Sequence, residues 1–228
     1  LGDMPDVGAN GPDFLVATSR VFSGDSRFMD AQRVRGSDGA LLGGPMTIGG
    51  NYAIFPRIEA LNGNWLVTWQ RRGNHNSPFS EVRAAFVSAP GTPFPDFAVE
   101  GGPKGKGIAP SVAITGQTAT FVWSDGTDAR PRQMLANGTL LGSHEGVVMS
   151  NAPNDQFGCS VGSNGTITFA AWNDYRIHGP LEAGSGDVYG TRIDASGAPL
   201  DLNANIAVAD VARFPEGAPV VTGDAGLF

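Results

Sequence analysis

An internal repeat of about 50 to 60 residues constrains the fold of this chain more than any other feature. A short strand-like segment, a glycine turn and a bulky hydrophobic run recur in that order, as in PRIEALNGNWLVTWQ and CSVGSNGTITFAAWN. Repeats of this length form folds in which each unit buries its apolar faces against its neighbours. The repeats begin at Pro5, Pro56, Pro110, Cys159 and Pro219.

Each of the first four repeats contains a second landmark, a glycine turn that follows a strand-like run. The repeat therefore predicts four strands: a P-x-V segment, a β-branched and aromatic run, a strand that ends at the turn, and a short last strand. No segment predicts a helix. The predicted fold is all-β and β-propeller-like, with four recognisable four-stranded blades and the start of a fifth. The turn glycines are Gly39, Gly91, Gly138 and Gly197.

The repeat boundaries predict a single β-propeller domain, or a fragment of one, over residues 1–228. The fifth repeat contains only a first strand and the opening of a second. We therefore expect the polypeptide to continue beyond this chain, or to pack against another chain that covers its open edge. The predicted blades cover about 5–50, 56–102, 110–151 and 159–209, with a partial blade over 219–228.

Three tryptophans occupy the same position of successive repeats, namely Trp69, Trp123 and Trp172, and Thr18 stands there in the first repeat. Equivalent residues usually perform the same structural task, so these side chains are predicted to pack between blades. An aromatic platform for a sugar is the alternative. Trp65 falls outside this register and is expected to be exposed.

The composition excludes several classes of partner. The formal net charge is −7 and the chain has only two lysines, Lys104 and Lys106, so nucleic-acid binding is disfavoured. A single cysteine, Cys159, allows no internal disulfide and is predicted to be a small buried residue. No long apolar stretch predicts membrane insertion.

The blade pattern resembles repeats of large secreted bacterial propeller proteins. The resemblance is carried by P-x-V-x-x-x-G, by a hydrophobic run to Trp-x-Asp, and by DVYGTRIDASGAPLD, and it is strongest over residues 159–209. It implies an extracellular or cell-surface scaffold, with the periplasm as an alternative location. The Asp-box of sialidases and the Gly-His and Trp-Asp pattern of WD40 repeats are both missing.

No catalytic motif is present. The chain has no H-E-x-x-H sequence, and its three histidines lie far apart. The one G-x-S-x-G match, GCSVG at 158–162, precedes no predicted helix, so a nucleophile elbow is unsupported. Paired carboxylates are the remaining route to catalysis, because propeller glycosidases use Asp and Glu from several blades. Asp125 and Asp174 follow the repeated tryptophan by two residues, where Arg20 and Arg71 stand in other repeats, so turn caps or ion pairs between blades are favoured. The carboxylates considered are Glu59, Asp125, Asp174 and Asp187.

Two long connections between second and third strands, 71–81 and 174–187, are predicted to form a binding surface, because long loops on a rigid scaffold often bind ligands. No cofactor is predicted, although calcium binding through weakly matching acidic segments stays open. The binding residues are Arg71, His75, Asn76, Tyr175, Arg176 and His178. The calcium candidates are Asp25, Asp30, Asp194 and Asp201.

Three functions fit this sequence. The favoured one is a non-catalytic secreted or cell-surface scaffold that binds protein or glycan through its loops. A propeller-type, glycan-active hydrolase that uses carboxylates near the axis is the first alternative. A structural module of a larger surface assembly is the second. The absence of a catalytic motif ranks the enzyme below the scaffold.

Overall fold

A computed structural model describes most of the chain and confirms the all-β prediction. The described part consists of strands, turns and irregular segments, and it contains no helix long and apolar enough to cross a membrane. The chain divides into two compact units, 1–110 and 111–228, and the division falls within one strand. The described residues are 5–23, 26–50, 52–73, 79–100, 107–176, 186–209 and 219–223.

The first unit contains two antiparallel sheets, each with its strands in sequence order. Sheet A comprises β1 (Asp6–Asn10), β2 (Asp13–Ser23), β3 (Ser26–Arg35) and β4 (Leu41–Gly49). Sheet B comprises β5 (Ala53–Leu61), β6 (Asn64–Arg72), β7 (Ser80–Ser88) and β8 (Phe97–Glu100).

The second unit contains a sheet of three strands and a sheet of four. Sheet C comprises β9 (Ile108–Thr115), which crosses the division, β10 (Thr118–Ser124) and β11 (Ala129–Leu135). Sheet D comprises β12 (Gln156–Ser163), β13 (Thr168–Asp174), β14 (Asp187–Ile193) and β15 (Ile206–Ala209).

The predicted fourth strand of the third repeat, GVVMSN, is not a strand. Two backbone N–H groups of this segment do reach β11: Val147 donates to Pro131 O at 3.2 Å and Met149 donates to Ala129 O at 3.0 Å. Pro131 has no N–H to return the first of these bonds, so a regular ladder cannot form beside it. The third sheet therefore has three strands.

The repeated tryptophans are core residues, as predicted. Trp69, Trp123 and Trp172 are all fully buried. Trp69 lies in a hydrophobic cluster shared by sheets A and B, and Trp172 lies in one shared by sheets C and D. Gly49 of β4 provides the space for Trp69, because a Cβ there would lie 2.8 Å from the indole ring.

The expectation that Trp65 is exposed is wrong, since only 1% of its surface is accessible. Its indole Nε1–H donates to the carbonyl oxygen of Gly8 at 3.0 Å, across the boundary between sheets B and A. A sequence register within one repeat cannot reveal this partner, because the strand that covers Trp65 belongs to the preceding repeat.

A strained backbone position precedes the start of three repeats. The φ angles there are 56° at Phe55, 46° at Ala109 and 65° at Gly158. Residues other than glycine rarely adopt this left-handed region, so the backbone is strained at Phe55 and Ala109. The register of β5 and of β12 shifts at this position. In two of the three repeats the next residue is a proline, Pro56 or Pro110, which cannot donate to a ladder. At Pro56 the strand bulges.

Neighbouring first strands are joined by a hydrogen bond that recurs in both units. The second residue of one repeat accepts, through its side chain, the backbone N–H of the third residue of the following repeat. The pairs are Asp6 with Ile58 at 2.7 Å, Ser111 with Val161 at 3.4 Å, and Ser160 with Val221 at 2.9 Å.

A second recurring bond starts from the residue at the end of the hydrophobic run. Ser19 Oγ donates to Ala53 O at 2.8 Å in the first unit, and Ser124 Oγ donates to Gln156 O at 2.7 Å in the second. Both bonds join the second strand of one sheet to the start of the next sheet. They are buried, so losing either partner would leave an unsatisfied polar group.

Replacing Trp69 with alanine should lower the free energy of unfolding by about 3–5 kcal/mol, as for other large-to-small core changes. Urea unfolding followed by circular dichroism measures this loss. The matched control is Phe94→Ala, because Phe94 is 50% exposed and its truncation should change stability little. Equal stability of the two variants would contradict the core position of Trp69.

Replacing Ala109 with glycine should raise the free energy of unfolding by up to about 1 kcal/mol, because glycine relieves the strain of a positive φ. Ala60→Gly, in the regular part of β5, is the control and should lower stability by about 0.5–1 kcal/mol. The same urea titration compares both variants. A loss of stability in both would show that the backbone at Ala109 is not strained.

Candidate active site

Two carboxyl groups that influence each other electrostatically lie on the adjoining first strands of sheets A and B. Asp6 opens β1, and Glu59 lies in β5 next to Ile58. One carboxylate oxygen of Asp6 accepts the backbone N–H of Ile58 at 2.7 Å, which fixes Asp6 beside β5. The side chains of Ile58 and Glu59 lie on opposite faces of the strand. Ile58 enters the core between the sheets, so Glu59 projects from the other face.

The close approach of the two strands depends on Gly8. A Cβ at this position would lie 2.5 Å from Cγ2 of Ile58 and 3.1 Å from its carbonyl oxygen. Any larger residue would therefore push β1 away from β5, and it would also move the Gly8 carbonyl that accepts the Trp65 N–H. The sequence brings the two carboxylates together by placing a glycine where the strands touch.

The environment separates the acidities of the pair. Burial, together with the charge of Asp6, raises the pKa of Glu59 from 4.5 to about 7. Burial also raises the pKa of Asp6, but the N–H of Ile58 and the charge of Arg57 act in the opposite direction and favour its ionised form. The net effect still raises the pKa of Asp6, while near neutral pH Glu59 can hold a proton.

Such a pair can act as general acid and general base. A carboxyl group with a pKa near the working pH can both give and accept a proton, and its charged neighbour can activate a water molecule. Two carboxyl groups with different acidities are what glycoside hydrolysis requires. Asp6 and Glu59 therefore form a candidate pair of carboxyl groups for acid–base catalysis.

Of the carboxylates considered from the sequence, Asp125 has the turn-capping role that was favoured for it. It accepts the N–H of Thr127 at 3.0 Å and that of Asp128 at 2.8 Å, and it pairs with Arg130. Burial acts to raise its pKa, but these hydrogen bonds prevail and lower it below the usual value. Asp125 therefore stabilises a hairpin rather than serving as a proton donor.

Asp174 and Arg176 form a buried polar cluster in sheet D. Asp174 is fully buried, accepts the indole N–H of Trp172 at 2.9 Å and pairs with Arg176 at 2.7 Å. The Arg176 guanidinium lies 3.6 Å from the ring centre of Tyr189 and donates to Asn205 at 3.0 Å. These contacts tie Arg176 to its own sheet. Asp187, at the start of β14, is also buried.

At the position two residues beyond the repeated tryptophan, each of the four residues has an ion-pair partner close to it in sequence. Arg20 pairs with Asp30 in sheet A, and Arg71 pairs with Glu81 at 2.5 Å in sheet B. Asp125 and Asp174 also pair with arginines of their own sheets. The end of one strand lies beside the start of the next strand of the same sheet, so oppositely charged residues at these two places can pair.

The predicted binding residues fall into three groups. Arg71 lies at the end of β6, beside a pocket. Tyr175 is partly buried, with its ring in edge contact with Phe157, and Arg176 belongs to the cluster described above. The remaining three, His75, Asn76 and His178, lie outside the described residues.

The calcium candidates that the structure describes are engaged in other bonds. Asp30 accepts hydrogen bonds from Arg20 and Thr47, Asp194 accepts from the backbone N–H groups of Ser196 and Ala198, and Asp201 pairs with Arg192. Within the described part of the chain, no group of three or more His, Cys, Asp or Glu side chains could hold a metal ion. Asp25 lies outside that part, and calcium binding stays a prediction.

Asp6 is the site residue that sequence reasoning does not identify. Its signal lay in the repeat alignment, because the second residue of the repeat is Asp6, Arg57, Ser111 or Ser160. The alignment shows a charged residue at an equivalent position, but only the packing of β1 on β5 places it beside Glu59. Cys159 is buried, as predicted, and burial raises the pKa of its thiol to about 12.

The structure is similar to several glycoside hydrolases. The native arabinanase of Bacillus subtilis aligns over 96% of this chain and 84% of its own, with 10% identity and a TM-score of 0.55. An α-L-arabinofuranosidase from Lactobacillus brevis aligns over 86% and 68%, with 12% identity and a TM-score of 0.54. An exo-β-1,3-galactanase from Clostridium thermocellum aligns over 86% and 46%, with 8% identity and a TM-score of 0.55.

These similarities confirm the β-propeller fold, which the aligned enzymes share. They contradict the expectation of a non-catalytic scaffold, because the proteins similar in fold are named as glycoside hydrolases. The absence of a short catalytic motif was the basis of that expectation, and catalytic carboxylates in such folds come from separate strands. No family model matches the sequence, and neither does any curated protein sequence.

The carboxylate pair predicts a specific pH dependence of stability. Between about pH 4.5 and 7 the folded protein keeps a proton on Glu59 that the unfolded chain releases. The free energy of unfolding should therefore fall as pH rises through this window. In Glu59→Gln the free energy of unfolding should no longer fall through this window on account of residue 59. At pH 8 this variant should therefore be more stable than the wild type, by up to about 3 kcal/mol.

Urea unfolding at pH 5 and pH 8, followed by tryptophan fluorescence, tests this expectation. Glu145→Gln is the control, because Glu145 is exposed and should leave the pH dependence unchanged. An unchanged pH dependence in Glu59→Gln would show that the Glu59 carboxyl is not shifted by its surroundings.

Proposed function

We propose that this protein is a glycoside hydrolase of the β-propeller class that acts on a plant-type or microbial polysaccharide. The observation that carries the proposal is the pair formed by Asp6 and Glu59, two carboxyl groups with raised pKa values on adjoining first strands. The fold similarity to an arabinanase, an arabinofuranosidase and a galactanase supports the choice of glycans as substrates.

In this proposal Glu59 is the general acid. Its pKa of about 7 keeps it protonated in mildly acidic solution, so it can donate a proton to the leaving glycosidic oxygen. Desolvation is the main cause of this shift, and a bound sugar that excludes water would strengthen it.

Asp6 is the general base. The hydrogen bond from the Ile58 N–H and the positive charge of Arg57 favour its carboxylate form, and the carboxylate removes a proton from the attacking water. Cleavage leaves Glu59 ionised and Asp6 protonated, and proton exchange with solvent then returns both groups to their starting states. The two functions fall on residues whose surroundings differ in the required sense.

A secreted or surface location belongs to the same proposal. Polysaccharides too large to cross a membrane must be cleaved outside the cytoplasm, and the blade pattern resembles repeats of secreted proteins. An extracellular location, rather than a cytoplasmic one, is therefore expected for the intact polypeptide.

Release of reducing sugar from arabinan and from β-1,3-galactan tests the proposed activity. Asp6→Asn and Glu59→Gln should each lower kcat by about 10²–10⁴-fold, the usual contribution of a general acid or base. Glu145→Gln should retain full activity, and circular dichroism should confirm that all variants are folded. A folded wild-type protein that releases no sugar from any polysaccharide would contradict the proposed function, as would full activity in both site variants.

A further inference from the structure

A pocket lies in the first unit, beside the end of β6 and the start of β7. It has a volume of about 380 Å³, within the range of small-ligand sites. One side is formed by the end of β6, another by the start of β7, and a third by the residue after β4. The lining residues are Gly50, Arg71, Arg72, Gly73, Phe79 and Glu81.

The two arginines of this pocket are in different situations. Arg71 is held by Glu81, with its guanidinium 2.5 Å from the carboxylate, so its charge is already compensated. The backbone N–H of Arg72 donates to Tyr52 O at 3.2 Å, but the Arg72 guanidinium has no hydrogen-bond or ion-pair partner among the described residues. Within the part of the chain that the structure describes, Arg72 is therefore a cation without an ionic partner, in a protein with a formal net charge of −7.

The other walls are suited to a sugar ring. Phe79 is 48% exposed, and aromatic faces pack against the apolar C–H face of sugars. Glu81 offers carboxylate oxygens that can accept hydrogen bonds from hydroxyl groups. Gly50 leaves the opposite side open, because a Cβ there would meet no atom within 4 Å.

We propose that this pocket binds a carboxylate-bearing sugar unit of an acidic glycan, with Arg72 as the partner of the carboxylate and Phe79 as the wall for the ring. A planar guanidinium binds a carboxylate through two parallel hydrogen bonds. A phosphate dianion is disfavoured, because Arg71 is already paired with Glu81 and Arg72 offers a single positive charge for two negative ones. The proposal rests on the proposed function only for the choice of a sugar as ligand.

Isothermal titration calorimetry with three monosaccharides tests the inference: glucuronate, its uncharged methyl ester, and glucose. The wild-type protein should bind glucuronate at least about 10-fold more tightly than the ester, since the ester keeps the size but loses the charge. The preference should weaken with added salt. Inorganic phosphate should not compete.

Variants assign the contribution of each wall. Arg72→Gln should abolish the preference for glucuronate over the ester, while Arg72→Lys should keep part of it. Phe79→Ala should weaken the binding of all three sugars. Arg35→Gln is the control for loss of a surface cation, because Arg35 lies in sheet A and pairs with Asp38.

Three results would overturn the inference: no binding of glucuronate, equal binding of glucuronate and its ester, or an unchanged preference in Arg72→Gln. Displacement by phosphate would assign the pocket to a different anion. The outcome is separate from that of the proposed hydrolase, because Asp6→Asn should keep the glucuronate preference while losing hydrolysis. A protein that binds glucuronate but cleaves no glycan would sustain this inference and refute the catalytic one.

Discussion

The structure depends on the contact between first strands of successive repeats. A backbone N–H of one strand is bonded to the side chain at the second position of the preceding repeat, as with Ile58 and Asp6. Serine oxygens take the same role in the second unit. The bond requires strands that touch, and Gly8 provides the necessary clearance between β1 and β5. Sheets B, C and D each bury a tryptophan at the equivalent position of the repeat.

The same contact brings two carboxyl groups together at the first strands of sheets A and B. A serine at the second position gives a neutral acceptor, whereas the aspartate of the first repeat gives a charged one. Glu59 lies next to the N–H that Asp6 accepts, so the two carboxyl groups share a partly dehydrated space. The positive-φ residues Phe55 and Gly158 lie within β5 and β12, where the register of the strand shifts. Strain and bulges of this kind are common beside active sites.

The candidate carboxylate pair and the proposed sugar pocket of the first unit lie in different parts of the same sheets. The carboxylate pair uses the first strands, and the pocket of Arg72 and Phe79 uses the connection of the second and third strands. In the second unit the equivalent connection begins with Asp174 and Arg176, which are tied to Tyr189 and Asn205. Equivalent positions of a repeat can therefore hold a pocket in one sheet and an internal ion pair in another.

The sequence by itself determined the all-β class, the repeat, the turn glycines and the burial of Trp69, Trp123 and Trp172, because these follow from local periodicity and from positions shared by all repeats. Tertiary structure decided what covers each strand. Only the packing of neighbouring repeats buries Trp65 beneath Gly8 and raises the pKa of Glu59 beside Asp6. The loss of a regular fourth strand beside Pro131 likewise became visible only when the partner of that segment was known. Contacts between residues about 50 positions apart leave no local pattern, and the candidate carboxylate pair depends on such a contact.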